Sequence, residues 1–502
     1  VTTFFLRRIF LRRDIFMTGS CIDMRLSLKT LVLIPALAVL ASCGGGGSSS
    51  SSSSTATTTT TTTPVVTLSG KWGWFNGAQT IASPGSYGTK GVAAATNEPM
   101  SRQEAVKWVD SAGNFWLFGG YGSTSTTTSG VLNDLWEYLP ATGQWTWKGG
   151  TDAFQATGIY GTKGVAAATN APGARRGATS WTDASGNLWL FGGNGFDSTG
   201  ASGYLNDLWK YSTTTSQWTW VAGSNLASST GSYGTMGTAA LTNEPPGRVY
   251  AASWTDTSGD LWLYAGLSPS ATDSFFSDLW EFVPSTGEWT WMKGPATLNA
   301  SAVFGTKNSA AATNLPGGRA QTTTWVDVSG NLWLLGGVIP SSGSFAYSND
   351  LWRYTPSANL WTWVGGSQTA NAAGVYTTLG VAGVANAPGA RAGSVSWVDA
   401  AGNFWLFGGL GYAVSGAGYL NDLWHYSPST GDWIAVKGAA AVPGAGTYGT
   451  KGVIATANIP GGRGYSVSWF SGGLLWMFGG AGDDVNGNVG DLNDLWEFTP
   501  AT

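Results

Sequence analysis

Two hydrophobic patterns take turns along most of this chain. Leu188-Trp189-Leu190-Phe191 is apolar at four successive positions, as a strand covered on both faces requires. Trp145-Thr146-Trp147-Lys148 alternates, as an outer strand with one solvated face does. Between Gly186 and Val221 the order is GNLWLFGG, a loop, LNDLWKY, then TTTSQWTWV. Together with the SWTD stretch around Trp181 this predicts four strands: A (SWTD), B (NLWLFGG), C (DLWKY) and D (WTWV). The connections DASGN between A and B, and PATGQ or PSTGE between C and D, are short hairpin turns. The whole pattern recurs. Its DLW Asp falls at Asp134, Asp207, Asp278, Asp350, Asp422 and Asp494, in steps of 73, 71, 72, 72 and 72 residues. Six such repeats predict an all-β, six-bladed β-propeller with one four-stranded meander per blade.

Tryptophan usage supports this reading. All 29 Trp fall on four repeat positions, six each in strands A, B and C and eleven in D. An aromatic removed from water by ~150–250 Å² is chiefly a packing element, so this abundance implies packing between blades and no sugar-stacking platform by itself. The chain stops at Pro500-Ala501-Thr502, where the other repeats continue into a Trp-bearing strand, and Gly70-Lys71-Trp72-Gly73-Trp74 supplies the missing piece. The first strand is therefore expected to complete the last blade and leave no open sheet edge.

The Gly-Gly ending strand B, the aromatic of strand C (Tyr138, Tyr211, Phe282, Tyr354, Tyr426, Phe498) and the Trp of strand D resemble the kelch motif over Ser69 to Thr502. With YGTKGVAAATNxPGxR inserted before strand A, the chain resembles bacterial kelch-repeat lipoproteins, whose propeller is like the central domain of galactose oxidase. The resemblance implies a scaffold, and fold alone does not specify function. Residues 24–42 read as a signal peptide, with Arg25 and Lys29 before an apolar run from Leu31 to Ala41 that is too short to span a bilayer. Leu40-Ala41-Ser42-Cys43 is similar to a lipobox, which implies lipidation at Cys43, and Gly44 after it favours the outer membrane in that family's sorting rule. Residues 1–23 are expected to be a mis-assigned extension, although Arg7-Arg8-Ile9-Phe10-Leu11 has some likeness to a twin-arginine signal. Residues 43–67, Gly-, Ser- and Thr-rich, form a flexible tether. The propeller is expected over 68–502.

Charge and composition mainly exclude. Six of the 24 Lys and Arg and two of the 28 Asp and Glu lie before residue 44, so the remainder carries net −8 and has no footprint for nucleic acid. Both Cys, Cys21 and Cys43, lie in the leader, so the propeller has no disulfide. Galactose oxidase's copper site uses two His and a Cys-linked Tyr. This chain has one His, His425, at a position after DLW that reads as solvent-exposed. No cofactor is expected, and a His-dependent triad is disfavoured. WTDASGNLW keeps the Asp, Gly and Trp of a sialidase Asp-box at other spacings, so that activity is not implied.

The B to C loops, of about ten to twelve residues, and the D to A crossovers share one face, which is where binding is expected. Strand A is preceded by Arg102, Arg175, Arg248, Arg319, Arg391 and Arg463, one per blade. These either ring the channel mouth as an anion site or pair with the DLW Asp, and their equal numbers favour pairing. Departures from the repeat are better candidates. Four residues before the strand-A Trp stand Glu104, Gly177, Tyr250, Gln321, Gly393 and Tyr465, which gives Glu104, Tyr250 and Tyr465 as binding candidates. The loops add Phe196, Asp197, Asp273, Phe275, Phe276, Phe345, Tyr347 and Tyr412. Asp483, Asp484, Asn486, Asn488 and Asp491 could suit Ca²⁺ but do not form an EF-hand loop, so no metal site is expected. The expectation is a monomeric, lipid-anchored scaffold at the outer membrane, facing the periplasm or the cell surface, that binds protein or glycan without catalysis. The alternatives are a sugar mutarotase like the kelch N-acetylneuraminate epimerases, acting through Glu104 with an Arg or Tyr, and a purely structural surface protein.

Overall fold

The structure, a computed structural model, describes residues 67–501 apart from 270–273 and 342–343. The extension, signal peptide, Cys43 and the tether up to residue 66 lie outside the described residues, as does Asp273. Six antiparallel sheets form the six blades of a β-propeller. In blade 1, strand A is Val106–Val109, B is Phe115–Ser123, C is Ser129–Leu139 and D is Gln144–Gly149, each hydrogen-bonded to the next.

The ring closes as the sequence requires. Ser69–Asn76 lies antiparallel to Val489–Ala501, pairing Trp72 with Phe498 and Trp74 with Trp496. Trp145 opposite Tyr138 and Trp147 opposite Trp136 show the same register in blade 1. Packing between neighbouring blades supplies the core. One cluster joins Trp116 and Phe118 of blade 1 to Leu188, Leu190, Trp209 and Trp218 of blade 2. Trp108 also donates its indole N–H to the Trp189 carbonyl at 2.9 Å.

The repeated polar residues secure turns and edges. The Asp110 carboxylate accepts the backbone N–H groups of Ala112 and Asn114 and the indole of Trp116, which fixes the A to B turn. The inserted crossover runs down the outer edge of the blade it leads into. Ala94 bridges Trp145, and the Asn97 amide donates to the Trp145 carbonyl at 3.0 Å. Strand D is thus partly covered along an edge that would otherwise offer unpaired backbone groups. In strand B, Gly119 has φ 64° at a register shift, and a Cβ there would meet the Arg175 carbonyl oxygen at 2.7 Å.

Two expectations need correction. The B to C connections are mostly strand: in blade 1 pairing continues past the glycines to Ser123 opposite Ser129, leaving a tip at residues 124–128. The long-loop face is therefore built of protruding hairpins. His425 is buried, 9% exposed, with its ring 5.0 Å from that of Trp405. Burial lowers its pKa, with the nearby Asp399 opposing. Among the described residues, no helix is long and apolar enough to cross a membrane.

Candidate functional site

The six arginines act within the scaffold. Each is 1% exposed and binds its DLW Asp through two parallel N–H···O contacts of 2.6–2.8 Å. In blade 2, Arg175 also donates to the carbonyls of Gly173 and Gly192, while Asp207 accepts the Trp209 indole and the Tyr160 hydroxyl, each at 2.7 Å. That hydroxyl comes from the YGTK element, whose role was not evident in the sequence. Blade 4 has Phe304 at this position, and Ser348 donates to Asp350 there. The Asp422 carboxylate is opposed by burial but held below its usual range by Arg391, Tyr376 and Trp424. Arg102, Arg175, Arg248, Arg319, Arg391 and Arg463 therefore form no anion-binding ring, because each guanidinium is buried and paired with its Asp inside the blade.

Glu104, Tyr250 and Tyr465 occupy a different kind of position. Together with Gly177, Gln321 and Gly393 they form a closed belt of six backbone hydrogen bonds, each residue donating its N–H to the carbonyl of its counterpart in the preceding blade at 2.7–3.0 Å. This geometry needs a left-handed backbone, and all six have φ between 58° and 63°. The order Glu-Gly-Tyr, Gln-Gly-Tyr is a pseudo-two-fold. A Cβ on Gly177 would strike the Tyr250 ring, and one on Gly393 the Tyr465 ring, so each tyrosine lies against the neighbouring glycine. The Tyr465 hydroxyl lies 3.2 Å from Gln321 Oε1 and donates to it. In the other half, the Tyr250 hydroxyl and Glu104 Oε2 are buried without a hydrogen-bond partner. Glu104 instead faces Arg176, 3.6 Å away. Burial, then Glu104, raises the Tyr250 pKa.

Next to the belt the six blades stop being alike. Cross-strand register aligns Gln103 with Tyr121 and Val131, Arg176 with Asn194 and Tyr204, and Ala320 with Val338 and Tyr347. The corresponding sets are Val249 with Leu267 and Phe275, Ala392 with Leu410 and Tyr419, and Gly464 with Ala481 and Asp491. Blades 6, 1 and 2 thus hold the charged and amide groups, and blades 3, 4 and 5 are apolar and aromatic. The guanidinium of Arg176 sits 5.1 Å over the Tyr121 ring. Asp491 accepts hydrogen bonds from Gln103 Nε2 and the Ser123 hydroxyl. Burial pushes its carboxyl up to about 7, with Glu104 adding to the rise and Arg176 opposing it. Tyr121, Tyr204, Tyr250, Tyr347, Tyr412 and Tyr465 are half-buried, and the Tyr347 and Tyr412 rings meet at 6.3 Å.

Several loop candidates turn out to be structural. Phe275 and Phe276 are buried, Phe276 lying under Arg248 and Phe275 against Phe345. Asp197 caps Thr199, Ala201 and Ala227. In the blade 6 loop, Asp484 accepts from the backbones of Asn486 and Asn488 and from the Asn488 amide, as a turn-capping residue does. Among the described residues, the acidic group whose oxygens do approach one another, within 4.8 Å, is Asp256, Asp260 and Glu281 in blade 3, where Asp260 replaces the Asn found in blades 1, 2, 4 and 5.

Sequence reasoning missed Arg176, Tyr121, Tyr204 and Lys107. The doubled Arg of blade 2 and the lone Lys of strand A were both visible as departures from the repeat. Lys107 faces the central channel, which holds a cavity of about 540 Å³ toward the A to B turns. No protein-family model matches this chain, and no curated protein sequence matches it.

Proposed function

We propose that this protein is a kelch-type binding scaffold that holds a carbohydrate on its long-loop face, between the polar arc of blades 6, 1 and 2 and the tyrosine arc opposite. The observation that supports this most is the belt. Gly177 and Gly393 show that glycine satisfies the fold there, yet Glu104, Tyr250, Gln321 and Tyr465 adopt the same left-handed backbone, at ~1–2 kcal/mol per residue. Side chains kept at such a cost, on a face where the repeat symmetry breaks, suit a ligand. Tyrosine faces match the C–H faces of a sugar, and a carboxylate, a guanidinium and amides match its hydroxyls. The proposal includes export and anchoring through Cys43 at the outer membrane, as the leader sequence implies.

A glycan array combined with thermal shift on the purified chain tests this reading. A saturable glycan whose affinity falls at least tenfold in Tyr204→Ala and Arg176→Ala supports it. Silence across the array sinks it. A second reading, mutarotase-type acid–base chemistry, rests on Glu104 and the raised carboxyl of Asp491 beside Arg176. Accelerated exchange between the anomers of a bound sugar, abolished in Glu104→Gln, would favour that reading over simple binding.

A further inference from the structure

Strand A lines the central channel with three rings of side chains. One ring is Ala105, Ala178, Ala251, Thr322, Ser394 and Ser466. The next is Lys107, Ser180, Ser253, Thr324, Ser396 and Ser468. The last, beside the A to B turns, is Val109, Thr182, Thr255, Val326, Val398 and Phe470. In the middle ring four serines pass their hydroxyl protons to the backbone of the preceding blade: Ser180 to Lys107, Ser253 to Ser180, Ser396 to Thr324 and Ser468 to Ser396, at 3.0–3.3 Å. Those protons are spoken for. Lys107 alone breaks the ring, and its Nζ donates to Ser468 Oγ at 2.6 Å. Among the described residues no carboxylate lines the cavity; Lys107 is paired across the sheet with Leu117 and bonded to Ser180 and Ser468 of the neighbouring blades. The ionisable groups flanking its strand, Glu104 and Asp110, are engaged with Arg176 and with the A to B turn.

We propose that the channel is a second site, distinct from the long-loop face, for a small organic monocarboxylate whose head group pairs with Lys107 and whose apolar tail lies toward Val109, Val326, Val398 and Phe470. The cavity is within the ~300–1,000 Å³ range of small-molecule sites. One ammonium with few free donors around it matches a singly charged oxyanion. Phosphate calls for several charges or a nest of N–H groups. A half-buried ammonium lining the channel without a counter-charge is unfavourable, and burial pushes this amine down to about 8. A bound carboxylate relieves that cost. The ligand requires the protonated amine, so its affinity declines as pH rises through about 8.

The test is calorimetric titration of the purified chain at fixed ionic strength with acetate, hexanoate and octanoate, and with inorganic phosphate. Lys107→Ser supplies the residue that four of the other five blades carry and so keeps the fold; Tyr204→Ala serves as the control for the other face. The proposal predicts saturable binding that tightens from acetate to octanoate, at least a tenfold loss in Lys107→Ser, no change in Tyr204→Ala and a fall above pH 8. It is overturned if octanoate does not saturate, if Lys107→Ser binds as well as the parent, or if phosphate binds as tightly as octanoate.

Discussion

Replacing Asp207 by Asn separates the scaffold reading of the arginines from a ligand-binding one. The substitution is nearly isosteric, but it takes the counter-charge from a guanidinium that is 1% exposed and held by two 2.7 Å contacts. The Asn amide can present one oxygen and must turn its NH₂ toward either Arg175 or the Trp209 and Tyr160 donors that Asp207 now satisfies. Breaking a buried pair by removing one partner costs ~3–5 kcal/mol. At ~2.1 cal/mol/K per residue, the unfolding entropy of residues 67–501 is roughly 0.9 kcal/mol/K, so Tm should fall by about 3–6 °C. Differential scanning calorimetry reads this directly. The double variant Arg175→Met/Asp207→Leu leaves no charge stranded, but it unpairs the Trp209 and Tyr160 donors and the Gly173 and Gly192 carbonyls, so it should not restore the parent Tm. A fall below about 1 °C for Asp207→Asn would refute the assignment of these arginines to the scaffold.

Other outcomes follow from the same geometry. Trp72→Ala empties a fully buried position in the closing strand, should cost ~3–5 kcal/mol, and is checked by the guanidinium midpoint of unfolding. The folded-state carboxyl of Asp491 titrates near 7, above its unfolded value, so its stabilisation is present at low pH and lost as pH rises toward 7. Tm of the parent relative to Asp491→Asn should therefore drop between about pH 4 and 7, and a pH-independent difference would contradict the assignment. Lys107 has the opposite sense: its folded amine binds protons less well than the unfolded one, so the parent should gain stability relative to Lys107→Ser as pH rises from about 8 toward 10. Parallel melting curves across that range would count against its placement in the channel.

Period and turn chemistry made the fold legible. Six copies of DLW, paired glycines and a split last blade leave little freedom in topology, and Trp72 opposite Phe498 realises the closure that the chain ends imply. The pairing of Arg with Asp was also readable, because matched numbers at repeat positions imply matched partners. The site was only partly so. Glu104, Tyr250 and Tyr465 stood out by side chain, but the left-handed backbone that joins them depends on contacts between blades, which one repeat does not reveal. His425 looked exposed because Glu or a basic residue fills its position in other blades, while its ring, shorter than their chains, stays against Trp405. Lys107 required only that the six strands A be aligned residue by residue.

The most direct measurement is the affinity of the strongest glycan from the array for the parent, Tyr204→Ala and Lys107→Ser. A site on the long-loop face should lose at least tenfold in Tyr204→Ala and nothing in Lys107→Ser. Loss in Lys107→Ser with Tyr204→Ala unaffected would place the glycan in the channel and contradict the assignment of the long-loop face.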